Sequence, residues 1–465
     1  MKQLFSLDNF LKIYNYENRQ GTFSDKIISD DLYKISLKIL DINVQIKQEK
    51  KKKNTNKVKE LYDYKKIILK TKDIALQEGL LKITNNIKQN DFQFNFNNFL
   101  LNDKTVYTLH QSPEVFFILK KLQYNIKHSF KVKQANRYEI TNQVKNILNN
   151  NFPKYIIRTD IKNFYESIPH DKLKKKIYEN NILSNFSKRL VTKILKDFKN
   201  YSGLNQGIPR GIGISAYLSE LYMKDIDSNI KSLPNVTYYA RYVDDIIIML
   251  TPNKQRKKSN YLQQIEKIIQ KEDLELNSDK TQEFDLTLPS KKEIDSKKFT
   301  LEFLGYKYFF NNIQKENKNK LIIGLSDKKK KKYINKIRLA FKDYVKNSKY
   351  NEKKARKLLV WRIRYLTENT RLLNAKKDIL IGINFSNPLL SRYIDLKLLD
   401  KMLYCHIDMI TCYPKLNKDY GGHIYIEKLR DRLRKFSFEK GFKEKRFCKF
   451  TRKQLEEIIK IWKDL

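Results

Sequence analysis

The sequence predicts an α+β fold, on three observations. Strand-forming residues flank a carboxylate pair in Tyr238-Tyr239-Ala240-Arg241-Tyr242-Val243-Asp244-Asp245-Ile246-Ile247-Ile248-Met249, which reads as two strands joined at a hairpin tip. A second apolar run, Ile156-Ile157, leads into Asp160 and gives way to a helical pattern from about His170. The charged residues 1–100 and the stretch after Ser326 carry helical spacing instead.

The hairpin follows from electrostatics. Neighbouring strand residues point to opposite faces, so two adjacent aspartates inside one continuous buried strand would turn a charge into an apolar layer. At a tip both carboxylates can converge on divalent metal, which in-line attack on a phosphate ester requires. Asp160, at the end of its own strand, supplies a second carboxylate source that would face Asp244 from an adjacent strand. Taken alone, Asp160 also suits a helix N-cap.

In chain order, residues 1–100 form a helical extension interrupted by Lys50-Lys51-Lys52-Lys53-Asn54, a solvated helix end or loop. Gly203-Leu204-Asn205-Gln206-Gly207-Ile208-Pro209-Arg210-Gly211-Ile212-Gly213-Ile214-Ser215 concentrates four of the chain's 12 glycines. Glycine there serves positive φ or close backbone contact with a ligand, and a helix follows Ser215. A helix over 328–347 and a further helical stretch over 353–375 carry Arg356, Arg362, Arg364 and Arg371 among Trp361, Tyr365 and Leu366, so one face can pack and another can meet a nucleic-acid backbone or solvent. Residues 380–465 are aromatic and basic, with turns expected at Tyr413-Pro414 and Gly421-Gly422.

The order of an Asp160 segment, a Pro-x-Gly-x-x-x-Ser loop, Tyr-Val-Asp-Asp, Leu274-Glu275-Leu276-Asn277-Ser278-Asp279-Lys280-Thr281 and Leu301-Glu302-Phe303-Leu304-Gly305-Tyr306 resembles motifs A to E of reverse transcriptases over residues 110–320. The resemblance implies a right-hand polymerase of fingers, palm and thumb with an antiparallel palm sheet. Its parts would be a helical N-terminal extension (1–100), fingers and palm (101–320), a helical thumb (321–378) and a basic C-terminal extension (379–465). It further implies that Asp160, Asp244, Asp245 and the Ile161 carbonyl hold two Mg²⁺ ions roughly 3.5–4 Å apart, with Mn²⁺ as a substitute. Tyr165 would be the aromatic gate that excludes a ribose 2′-hydroxyl, unless Phe164-Tyr165 are plain core aromatics. Phe130 to Ile140 would be a fingers strand and helix whose Lys133 and Arg137 grip triphosphate, against the alternative of a solvated basic face. Arg210, Gly211 and Ser215 would contact the nascent pair, Lys280 would protonate leaving pyrophosphate or be a surface lysine, and Leu304-Gly305 would support the primer terminus.

Pro209-Arg210-Gly211 and Ser215-Ala216 depart from the Pro-Gln-Gly and Ser-Pro of most such enzymes. With Asn163-Phe164-Tyr165-Glu166-Ser167-Ile168, they resemble bacterial unknown-group or defence-associated reverse transcriptases, most nearly the first enzyme of the type 3 systems. That implies an RNA-directed DNA polymerase in antiphage defence, with dNTPs, a noncoding RNA, a DNA product and a second reverse transcriptase subunit or a second copy as partners. The rivals are a retron or group II intron enzyme and a non-catalytic RNA-binding scaffold on the same fold.

Composition agrees. Lys+Arg 96 against Asp+Glu 52 gives a net charge of +44, a field that attracts nucleic acid, although the abundance of Lys, Asn and Ile is also what an AT-rich genome would produce. Cys405, Cys412 and Cys448 show no metal-ligand spacing and imply neither disulfides nor export. With no apolar run of about 18 residues, the expectation is a cytoplasmic protein without membrane contact.

Overall fold

Among the residues that the computed structural model describes (2–21, 23–89, 92–101, 103–150, 152–179, 181–251, 260–286, 299–313, 318–374, 377–412 and 422–463), helices and sheets alternate, the strands pairing antiparallel except where residues 369–370 run parallel to 447–448. They fall into two units. One comprises residues 1–134, 161–233 and 260–277, the other 135–160, 234–259 and 278–465.

The first unit is mainly helical. Ser29 and Asn54 accept hydrogen bonds from Leu32 N and Lys57 N and so cap the helices Asp30–Lys51 and Thr55–Lys88. The lysine run ends the first of these and turns the chain at Lys53, whose φ is 60°. Asp25 ties this helical pair down: it accepts from Tyr14 Oη at 2.7 Å, from Lys72 Nζ at 2.8 Å and from Ser36. Helices Pro113–Ser129, Asn185–Ser202 and Ser215–Lys231 bury Phe117, Ile118, Leu122, Val191, Ile194, Leu218 and Tyr222. Strands β1 (Phe96–Leu101) and β2 (Lys104–Leu109) form an antiparallel hairpin.

The second unit holds the central sheet. Strands β3 (Lys154–Asp160), β4 (Val236–Tyr242), β5 (Asp245–Leu250) and β6 (Gln282–Leu286) pair antiparallel in the order β4-β5-β3-β6. Ile156, Ile247 and Met249 on one face pack with Ile140, Val144 and Leu148 of the helix Arg137–Leu148 and with Leu301, Phe303 and Tyr308 of a second sheet. That sheet consists of β7 (Thr300–Phe303), β8 (Tyr306–Ile313) and β9 (Lys318–Leu325). Residues 130–136, expected to include a strand, form none; the chain passes through Lys131 at φ 54° to the Asn136 cap of the next helix.

Beyond it, the helical run Asp327–Thr367 is broken at Asn351 (φ −150°, ψ 88°). The helical stretch expected over 353–375 stops at Thr367, and the chain turns into β10 (Asn369–Asn374), which pairs with β11 (Lys377–Gly382) and β12 (Phe447–Cys448). The stop is packed in place, because Gly441 lies so close to Thr367 that a Cβ there would sit 1.8 Å from the Thr367 carbonyl oxygen. Arg362 does not face a ligand: it is 2% exposed and paired with Asp343. Arg364 pairs with Glu368 at 2.8 Å. Tyr413-Pro414 and Gly421 lie outside the described residues, and Gly422 opens the helix Gly422–Arg434.

Candidate active site

The end of the central sheet gathers the carboxylates. Asp160 closes β3 and is Cα partner to Asp245, the first residue of β5. Since side chains alternate, Arg158 and Asp160 share the face that carries Asp245. Tyr242 pairs with Asp245, so only Val243 and Asp244 form the turn between β4 and β5. The sequence suggested that Asp160 faces Asp244; the register instead places Asp245 opposite Asp160 and Asp244 in the turn. Val243 holds φ 62°, a conformation that a β-branched residue adopts only when the surrounding structure imposes it. Asp160 is a strand end and not a helix cap, the next helix starting after Asn163.

Two cations meet these carboxylates. Lys280 Nζ donates to both oxygens of Asp160 at 3.0 Å. It stands on the one-turn helix Ser278–Lys280 just before β6, which the Thr159 and Thr281 hydroxyls, 2.7 Å apart, fasten to β3. Arg158 donates to Asp245 Oδ1 at 3.0 Å and to the Lys280 carbonyl at 2.7 Å. Burial pushes the Asp245 carboxyl above the usual carboxylate range; Arg158 and Lys280 pull it down, and the charges of Asp244 and Asp160 push it up. Sequence reasoning passed over Arg158. The available signal was a lone arginine in an apolar strand, two residues before the carboxylate that ends it.

These are hard oxygen donors, the class that suits Mg²⁺. Asp245 senses the negative charge of both other aspartates, so a cation placed among them would relieve real repulsion. Among the described residues, no three His, Cys, Asp or Glu side chains already form a metal-holding group. The donor chemistry fits a divalent ion.

In the same unit, Leu304 and Gly305 are the two-residue turn between β7 and β8, with φ of 45° and 76°. Both central residues have positive φ, the mark of a type I′ hairpin, which suits Gly305 and is unusual for Leu304. Arg137, expected on triphosphate, is committed elsewhere: its Nε and Nη2 donate to the Leu304 carbonyl at 3.2 and 2.5 Å.

The first unit holds the remaining predicted residues. Ile161, 1% exposed, bridges to Leu276. Lys133 is exposed. Tyr165 and Glu166 lie in the four-residue helix Phe164–Ser167. Arg210 grips Glu166 through Nε at 3.1 Å and Nη2 at 2.9 and 3.1 Å, with its guanidinium 5.0 Å from the centre of the Tyr165 ring. Ser215, expected on the nascent pair, turns inward: it is 1% exposed and its hydroxyl donates to the Pro209 carbonyl at 2.7 Å, closing the glycine-rich loop. Gly211, at φ 102°, is explained by close packing, since a Cβ would lie 2.6 Å from Val106 Cγ1 and 2.7 Å from the Tyr107 carbonyl.

Acidic side chains presented at the shared end of antiparallel strands, beside a tight hairpin turn, are what the palm of a right-hand polymerase displays. Residues 63–308, just over half of the chain, match the family described as reverse transcriptase (RNA-dependent DNA polymerase). The chain belongs to that family, and with it to the nucleotidyltransferases of right-hand polymerase fold. No curated protein matches the sequence. Among solved structures, the chain is similar to apo telomerase from Candida tropicalis (14% identity, 80% of this chain and 66% of that one, TM-score 0.37). It is also similar to telomerase from Candida albicans in complex with a fragment of telomeric RNA (14% identity, 74% and 56%, TM-score 0.31) and to a C-terminally truncated apo telomerase from Candida tropicalis (20% identity, 42% and 43%, TM-score 0.31). The chain thus spans between 43% and 66% of the length of these three structures.

Proposed function

We propose that this chain synthesises DNA on an RNA template by metal-assisted nucleotidyl transfer, and that it does so in antiphage defence with a noncoding RNA. The observation that carries the reading is the register of β3 and β5, which sets Asp160 beside Asp245 next to the turn that holds Asp244. A Mg²⁺ pair, held by Asp160, Asp244, Asp245 and the Ile161 carbonyl, would supply activation of the primer hydroxyl and neutralisation of the triphosphate. The protein's own groups do the rest. Arg158 fixes and balances Asp245, and Lys280, half exposed on Asp160, is placed to give a proton to the leaving pyrophosphate. Tyr165 excludes the ribose 2′-hydroxyl, Lys133 meets the triphosphate, and Arg137 braces the Leu304-Gly305 turn under the primer terminus.

The charge of +44 supports a polyanionic partner, and binding to it should weaken steeply with salt. The Arg210 and Ser215-Ala216 departures, with Asn163 to Ile168, support the defence-associated subgroup, and with it the noncoding RNA and a second reverse transcriptase subunit or a second copy. Among the described residues no helix is long and apolar enough to cross a membrane.

Purified protein with its co-purifying RNA should incorporate labelled dNTPs, and Asp244→Ala should lower that rate by roughly a thousandfold or more while the melting temperature holds. Incorporation near the parent level in a folded Asp244→Ala variant would remove the catalytic reading. Phage plating with the same variant tests the defence role: protection should vanish with synthesis, and protection that persists without synthesis would separate the two.

A further inference from the structure

We propose that Lys280 competes with the divalent ion for Asp160, so that metal settles there as an incoming triphosphate draws the ammonium away. The inference rests on the reading of Asp160 as a metal ligand and adds to it an order of loading, in which metal and nucleotide bind together.

The contact itself sets up the competition. Lys280 Nζ stands 3.0 Å from both oxygens of Asp160, a carboxylate whose side chain is only 7% exposed. An ammonium placed that way meets the oxygens that a hard divalent ion would use, and two cations repel each other strongly at such range. Asp160 can serve one of them well or both poorly.

The surroundings decide which cation gives way. Arg158 is the fixed one: its side chain is 16% exposed, and its guanidinium donates to Asp245 Oδ1 and to the Lys280 carbonyl. The Lys280 side chain is 52% exposed. Its main chain, by contrast, is tied down. The carbonyl takes the bond from Arg158, Thr281 N closes the turn onto the Ser278 carbonyl at 3.1 Å, and the Thr281 and Thr159 hydroxyls meet 2.7 Å apart. Backbone that is held while the side chain reaches solvent makes a tether, and the four-carbon stem of lysine can swing its charge without moving β3 or the turn.

A free divalent ion has to expel that charge into water. An ion that arrives with a triphosphate brings an anion that receives the ammonium, so the released charge is held and not merely displaced. Linkage between bound ligands is reciprocal: a lysine that weakens metal alone, yet yields to the triphosphate, couples the two. The same swing carries Lys280 from Asp160 to the phosphates from which pyrophosphate departs.

Fe²⁺ with ascorbate and peroxide is the probe, because bound iron cuts the polypeptide beside its own site and metal held by RNA leaves no such mark. The full chain with its co-purifying RNA is titrated with Fe²⁺, with and without a non-hydrolysable dNTP. The midpoint of cleavage near residues 160 and 244 is read from the fragments, and Asp160→Asn, which should abolish these cuts, locates the site. In the parent the nucleotide should lower the midpoint by about tenfold or more. Lys280→Gln should lower the nucleotide-free midpoint by about tenfold, after which nucleotide should lower it by no more than about threefold further. Cutting of Lys280→Gln at the same places itself reports a folded site.

If the site is cut but Lys280→Gln leaves the nucleotide-free midpoint at or above that of the parent, the competition is refuted and the metal site stands. Full nucleotide coupling in Lys280→Gln would show that the triphosphate acts without Lys280, and the proposal fails. Cuts that survive Asp160→Asn, or a parent that gives none even with nucleotide, overturn the metal site and the competition together.

Discussion

Charge balance governs at the scale of single residues. Lys280 meets Asp160 and Arg158 meets Asp245, and the Asp245 carboxyl still lies above the ordinary range because burial and its two acidic neighbours outweigh the cations. Such a cluster is tolerable only where opposite charge is at hand, and it leaves oxygen donors that a divalent ion can use. Asp25 shows the contrary case. Burial would raise its carboxyl, but hydrogen bonds from Lys72, Ser36 and Tyr14 overcome that and hold it below the ordinary value. A depressed carboxylate contributes stability that is fully present above its unfolded pKa, about 4, and is lost as pH falls through the lower folded value. Asp25→Asn should therefore cost about 1–3 kcal/mol at pH 7. The gap between parent and variant should close below about pH 4, as read by thermal melts across that range. A gap that persists undiminished at pH 3 would show that the charge of Asp25 is not what holds the helical pair.

At the scale of elements, close backbone approach sets what the glycine-rich loop tolerates. Gly211→Ala would drive a Cβ into β2 at Val106 and Tyr107 while keeping an unfavourable φ of 102°. The expected loss is about 2 kcal/mol or more, with a fall in the melting temperature, and a variant that melts with the parent would show that the loop can step away from β2. Much of the element scale was legible in the sequence. The strand-forming residues on both sides of the carboxylate pair in Tyr238 to Met249, and the cost of burying two adjacent carboxylates, demanded the hairpin that forms at Val243-Asp244. The register was not legible, because it is set by pairing between strands some 85 residues apart, and so Asp245 rather than Asp244 stands opposite Asp160. The partners of the arginines were hidden for the same reason. Arg137 on Leu304, Arg158 on Asp245 and Arg210 on Glu166 depend on contacts that no local pattern encodes. Ser215 and Gly211 sit in a motif whose resemblance points to substrate, while their geometry serves loop closure and packing.

At the scale of the whole chain, charge and core tell different stories about the last third. Composition marks residues 379–465 as a basic extension, separable from the helices before it. In the second unit, however, one hydrophobic core joins Ile337, Phe341, Leu359, Ile363 and Leu366 of the run Asp327–Thr367 to Leu399, Leu403, Leu429, Leu433, Phe438, Ile458 and Trp462. Polar contacts repeat the connection: Trp462 Nε1 donates to the Lys336 carbonyl at 3.1 Å, Asn369 N donates to the Arg446 carbonyl at 2.9 Å, and β12 extends the sheet of β10 and β11. Removing everything after residue 378 would uncover large aliphatic side chains, each worth about 1.5–3 kcal/mol when fully buried, and would strip β10 of β12 and of all of β11 beyond Asp378. Net stabilities of whole domains are only about 5–15 kcal/mol, so the loss of several such residues exceeds what the unit can absorb. A chain ending at residue 378 should therefore be aggregated or unfolded, with no cooperative melt and no nucleotide incorporation. The comparison is a chain of full length in which exposed cations of the segment, such as Lys453 and Lys460, are neutralised: it should melt as the parent does while its nucleic-acid affinity falls modestly. A soluble, cooperatively melting protein that ends at 378 would show instead that the C-terminal residues are an appendage, bound to the helical run without supporting it.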